Sequence, residues 1–389
     1  MTTGTMSVQR VETDIARPVA ASATTRLAFV DNLKVALTAL VIAHHAGQAY
    51  GPTGGSWPIF SPERSAVLGP FFTVNAAFFM GLFFLISAYF VPRAFDRKGA
   101  GAFLGDRFRR LGIPILLWAL LVSGPIAYFS QDAPGSLWQF LGSLYPGKVA
   151  DLFSHLWFVG HLLVYALGYA LWRWLARYVK LPNAADIPLP TQRGLLAFTL
   201  LLAVVAAIVR IWYPIDRWVT LLVVPAEIAH LPQYLSLFVL GIIAYRADWL
   251  RRLPTAIGIT WLGIGLTASA ARYAYELGGW RYLPPCLGDM DWLVRSTWEA
   301  FICVGLSVGL LVLFRERLNG QPGRLLSAMG GAAYAAYVFH VLIVVALQYS
   351  LISVPLPPFA KFALVTLLGV SLSFGVGHLQ RKCLGARAL

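Results

Sequence analysis

The chain has 389 residues, of which 58% are hydrophobic and only 12% charged, and its formal net charge is +14. Soluble domains carry about 25% charged residues, so the composition excludes an ordinary soluble protein and points to a membrane. The basic excess follows membrane topology, as shown below, and lends little weight to nucleic-acid binding.

Residues 1–26 are polar and lack an apolar core, so they read as a disordered cytoplasmic tail and not as a cleavable signal peptide. Beyond them come ten apolar stretches, near residues 30–49, 70–91, 111–129, 155–175, 194–211, 229–246, 255–272, 292–314, 329–349 and 359–379. Each approaches the roughly 20 residues that a membrane-spanning helix needs. No long period-two pattern suggests a lipid-facing barrel. The predicted fold class is therefore an all-α, polytopic membrane protein of about ten helices. Residues 27–381 form a single membrane-embedded domain, and 382–389 form a second cytoplasmic tail.

With the N-terminus inside, 21 Lys and Arg residues fall in the inner segments and 6 in the outer loops. The bias alternates loop by loop, as the positive-inside rule requires, and both termini are expected in the cytoplasm. Cys286, Cys303 and Cys383 fall in an outer loop, a span and a tail, so neither a disulfide framework nor a metal site is expected. Trp57, Trp138, Trp212, Trp280 and Trp292, near outer loops, read as interface anchors. The glycines, including G-G-A-A-Y (330–334), suit close helix packing better than phosphate binding.

The first span holds the most informative pattern. At about 100° per residue, Asp31, Lys34, Thr38, His45 and Gln48 share one sector, and His44 falls outside it. Lys34 and His45 are separated by ten residues. Ionisable groups cost about 2.5–3.5 kcal/mol at the centre of a span, so a helix that keeps several on one stripe has a use for them.

F-V-D-N-L-K, followed by ten residues and then His45, resembles the basic–ten–His signature of the acyltransferase-3 family of membrane acyltransferases. R-F-R-R (107–110) is similar to that family's R-x-x-R motif. H-L-W-F-V-G-H-L-L (155–163) resembles a fourth-span motif of its subgroup related to osmoregulated-glucan succinyltransferases. F-V-L-G (238–241) and A-A-Y-V-F-H (335–340) sit where members carry similar stretches. Two departures stand out: Lys34 occupies a place where Arg is common, and the fourth span has His161 where another subgroup has paired glutamates.

The resemblance implies transfer of an acyl group (acetyl, succinyl or similar) from cytoplasmic acyl-CoA, with no metal, to a hydroxyl of a glycan or related acceptor at the outer face of a bacterial inner membrane. His45, about 16 Å beyond Lys34 along the helix, is the expected general base or transient acyl carrier. The competing reading is an interfacial histidine bonded to a carbonyl. Lys34 either pairs with Asp31 or faces the donor's phosphates. Arg107 and Arg110, a helical pair beside Arg109, serve either topology alone or phosphate binding, for which the guanidinium fork is suited.

His161 and Glu299 lie at a depth similar to that of His45, and the three suggest a shared polar pocket with catalytic roles. For Glu299 the alternative is an intrahelical pair with Arg295. His340 lines a donor channel or makes a structural hydrogen bond, and Asn75 is a further polar candidate. His155 and Trp157 read either as interface residues or as part of the acceptor site. Membrane lipid is the surrounding partner. A flippase for an acylated lipid or glycan, using the same buried polar residues, is the reading from another class. It would be favoured by broken helices in inverted halves, a pairing not seen in the sequence.

Overall fold

A computed structural model describes residues 27–52, 57–130, 134–144, 149–178, 186–282, 291–320 and 323–384. The expected tail at 1–26, most of that at 382–389, Cys286 and the side chain of Trp280 lie outside these residues, as do Arg10, Arg17, Arg26, Lys148, Lys180 and Arg387.

Ten long helical segments are present among the described residues. They are α1 (Ala28–Gln48), α2 (Ala66–Lys98), α3 (Ala100–Tyr128), α4 (Leu152–Leu175), α5 (Gln192–Trp212), α6 (Ile228–Arg246), α7 (Thr255–Glu276), α8 (Asp291–Arg317), α9 (Arg324–Ser350) and α10 (Pro358–Leu384). Eight of them are both long and apolar enough to cross a bilayer. The other two, α1 and α7, have the length, at 21 and 22 residues, but less apolar sequences. The protein is thus a polytopic all-α membrane protein.

The polarity of α1 has a structural explanation. It packs against α2, α8, α9 and α10, and Ala36 is the one exposed residue along it. A helix enclosed by other helices meets little lipid, so its polar groups need protein partners instead of hydrocarbon.

Small residues let the helices approach closely where lipid supplies no hydrophobic drive. A Cβ added to Gly305 of α8 would lie 2.6 Å from the Cα of Gly265 on α7. One added to Gly377 of α10 would lie 2.8 Å from the carbonyl oxygen of Ala332 on α9. At the basic end, Asp96 accepts from Arg173 and Arg246, each at 2.6 Å, which ties α2, α4 and α6 together.

Two features depart from uniform helices. Between α5 and α6 an antiparallel hairpin forms from β1 (Trp218–Leu221) and β2 (Val224–Glu227). It is too short to stand out as period-two alternation, and its turn holds Leu222 at a positive φ of 60°, without the glycine that usually marks such a turn. Within α3, Phe108–Gly112 and Ala119–Ser123 are wide π-helical turns, so Arg107 and Arg110 are not presented by the regular helix that an i, i+3 spacing assumes. Such turns often accompany functional sites.

Candidate active site

A cavity of about 510 Å³ opens among α1, α2, α3, α4 and α9 at the basic end. Its wall includes Lys34, Arg97, Lys98, Arg107 and Arg110, with Asp106 as a counter-charge. The three residues singled out as donor-binding candidates thus meet on one cavity, joined by two further cations. Lys34 lies 3.6 Å from Asp31 and 4.1 Å above the ring of Phe90, while Lys98 pairs with Asp106. Arg109 is exposed and does not line the space. Gly330 and Gly331 line it from α9, and a Cβ on Gly331 would meet the Arg381 guanidinium.

Along α9 the lining continues through Tyr334, whose hydroxyl donates to the carbonyl of Arg110 at 2.7 Å, to Tyr337. The next residues on that face lead to the histidines. The ring of Tyr337 lies 5.5 Å from His155 and 5.6 Å from His340, and its hydroxyl donates to the His155 carbonyl at 2.5 Å. Tyr337 therefore separates the cationic cavity from a cluster of imidazoles.

In that cluster His45 Nδ1 lies 2.8 Å from His340 Nε2, and the two rings stack at 4.9 Å. His340 Nδ1 lies 2.6 Å from the backbone carbonyl of Tyr337. A carbonyl only accepts. With both rings neutral, His340 carries its proton on Nδ1, its Nε2 accepts from the Nδ1–H of His45, and the Nε2 lone pair of His45 is left for proton transfer. This is the orienting logic of a catalytic triad, with a second imidazole ending on a carbonyl in place of a carboxylate.

Gln348 completes the support. Its amide NH₂ donates to the carbonyls of His45 and Ala46 at 3.0 and 3.1 Å, and its carbonyl accepts from Trp57 at 2.8 Å. Trp57, expected as an interface anchor, instead covers His45 at 5.1 Å between ring centres. Neither role was visible in the sequence. The available hint was that Gln348 lies eight residues beyond His340 in an apolar span, on the same helical face.

The common pocket expected of His45, His161 and Glu299 divides into separate clusters. His161 Nε2 donates to the Pro225 carbonyl of the hairpin at 3.1 Å, and Nδ1 lies 3.3 Å from the Tyr165 hydroxyl. Nε2 is thus fixed as a donor to the hairpin, and the Nδ1 lone pair faces the Tyr165 hydroxyl instead of His45. The hairpin can reach it because Gly160 is small: a Cβ there would lie 2.8 Å from Val224. Glu299 accepts from Arg210 at 2.5 Å and lies 3.7 Å from His230, which bonds Glu227 at 2.9 Å. Glu227 lies outside the spans and also accepts the Asp216 N–H. Burial opposes its ionisation, but His230 and that N–H outweigh burial and hold the carboxyl below its usual range. Equal depth in the membrane did not mean a shared site, because each side chain is claimed by whichever element packs on its own helix face. Asn75 is buried on α2 between Phe72 and Phe79, whose rings pack on His44 at 5.2 and 5.1 Å.

Helical spans enclosing a polar, histidine-lined cluster next to a cationic cavity define the class: a multi-pass membrane protein with a polar interior. Comparison with known sequences narrows it. The acyltransferase-3 profile, described as an acyltransferase domain, matches residues 27–378. The chain belongs to that family and is an acyltransferase. It is 28% identical over 331 residues to the glucans biosynthesis protein C of Escherichia coli strains SMS-3-5 and K12, with 81% of each chain covered. No solved structure matches it.

Proposed function

We propose that the protein transfers an acyl group from coenzyme A, bound from the cytoplasm, to a hydroxyl at the outer face of a bacterial inner membrane. The observation that carries this reading is the adjacency of the cationic cavity, which ends at Tyr337, to the His340–His45 pair just beyond it. The cations at the mouth suit the phosphates of the donor, Arg107 and Arg110 as forks and Lys34 as a point charge. The basic excess on the inner loops supports that orientation. The name of the E. coli relatives favours a glucan as acceptor.

In this mechanism the acyl-bearing arm passes Tyr337 and presents its thioester to His45. The Nε2 lone pair takes the acceptor's hydroxyl proton as the oxygen attacks the thioester carbon. The C–S bond then breaks, the imidazolium returns the proton to the departing thiolate, and an ester and a free thiol result. An acyl-imidazole on the same nitrogen is the covalent form of this chemistry. In this reading the rings of Trp57, His155 and His340, which pack around His45, would limit water at the activated group.

The test is thiol release and acyl transfer by the purified full-length protein in lipid nanodiscs. The variant His45→Ala is expected to lose turnover while keeping its thermal midpoint. Wild-type-like turnover in that variant would overturn the role of His45. Cysteine labelling that placed residues 97 and 110 outside the cell would overturn the orientation.

A further inference from the structure

Next to the proposed transfer site lies a pair of polar atoms that the mechanism above does not use. His155 Nε2 sits 3.2 Å from the Tyr337 carbonyl and 3.1 Å from that of Val338. Facing two carbonyls, that nitrogen must be the donor, which leaves Nδ1 of a neutral ring as an acceptor. Nδ1 is buried and has no hydrogen-bond partner among the described residues. Trp118 meets the His155 ring edge-on at 4.6 Å, and its Nε1–H, a donor only, is likewise buried and unpartnered. The two residues are 6% and 4% exposed. An acceptor and a donor, both unsatisfied, thus stand on touching rings.

Leaving such an atom unmet costs its full desolvation penalty, and native proteins rarely keep two together without a use for them. The local backbone is also strained: Ser154, immediately before His155, has φ 50° and ψ −135°, a region that non-glycine residues seldom occupy. Trp118 sits between the two π turns of α3.

We propose that His155 and Trp118 form a subsite for a secondary amide of the donor's extended arm, whose N–H donates to His155 Nδ1 and whose carbonyl accepts from Trp118 Nε1. The placement supports an amide of the donor. Leu111 lines the cationic cavity, and Trp118 lies two helical turns further along α3, about 10 Å on. His155 touches both Tyr337, at the cavity's end, and His340, at 4.8 Å, which bonds His45. On this reading, an arm extended from the cavity towards His45 would run beside these two rings. This inference rests on the coenzyme A reading above.

The experiment measures equilibrium binding of coenzyme A, and KM for an acyl-coenzyme A and for an amide-free alkyl thioester of the same acyl group. His155→Gln keeps an N–H for the Tyr337 and Val338 carbonyls but removes the δ acceptor, and Trp118→Phe keeps the ring while removing the donor. Both variants are expected to weaken coenzyme A binding and raise the acyl-coenzyme A KM roughly three- to tenfold. The KM for the amide-free thioester and for the acceptor should stay unchanged. Wild-type affinity for coenzyme A in both variants, or a change confined to the acceptor's KM, would overturn the subsite. Failure of the wild-type protein to bind coenzyme A would instead overturn the reading of the donor.

Discussion

Replacing His340 with Phe tests whether one imidazole sets the proton position of the other. His340 touches neither proposed substrate, and its ring is buried against His45, His155 and Tyr337. Phenylalanine fills similar space but cannot accept the Nδ1–H of His45 at 2.8 Å. The lost bond amounts to about 1 kcal/mol, and leaving that N–H unmet in a buried site adds about 1–2 kcal/mol. The Nδ1–H form of His45 is therefore disfavoured by about 2–3 kcal/mol. At tenfold per 1.36 kcal/mol, kcat falls roughly 30- to 150-fold. KM for donor and acceptor should hardly move, because the loss lies in the fraction of base that is correctly protonated. His340→Gln, whose amide oxygen can accept in place of Nε2, should restore part of the rate. Steady-state thiol release in nanodiscs, with the thermal midpoint as a folding control, supplies both parameters. A kcat within twofold of wild type in the Phe variant would refute the tautomer argument, as would equal losses in the Phe and Gln variants.

Two other outcomes follow from the placement of charges. Arg107→Ala with Arg110→Ala should raise the donor's KM at least tenfold, since hydrogen bonds to charged groups contribute about 1.5–3 kcal/mol each; an unchanged KM, measured at low and at high salt, would remove these residues from the donor site. Glu299→Ala should lower stability by about 3–5 kcal/mol by leaving Arg210 buried and unpaired, and Arg210→Met in the same chain should recover much of it. Loss of turnover in that double variant, with its thermal midpoint restored, would instead return Glu299 to the chemistry.

Residue patterns reached further on α1 than on α4 and α8. The stripe on α1 was readable because helical periodicity alone puts Lys34 and His45 on one side, and the structure sends that side to the cavity and to His340. The R-F-R-R run reached the same cavity despite the π turn at Phe108–Gly112. Depth along α4 and α8 was equally readable, yet it misled. His161 faces the hairpin and Glu299 faces Arg210, and direction around a helix counts for as much as distance along it. Trp57 lay in a loop rich in turn-formers, where no periodicity says which way a ring points.

Apolar runs of bilayer length, punctuated by charges and turn-formers, were enough to define a bundle of membrane helices, because hydrocarbon tolerates few other backbones. Local spacing was enough to put a base and a cation on one helix. Only the packed structure could pair His45 with His340, 295 residues away, or bring Trp118 against His155. Those encounters depend on the rotation and closeness of helices far apart in the chain, which small residues such as Gly305 and Gly377 permit but do not specify by themselves.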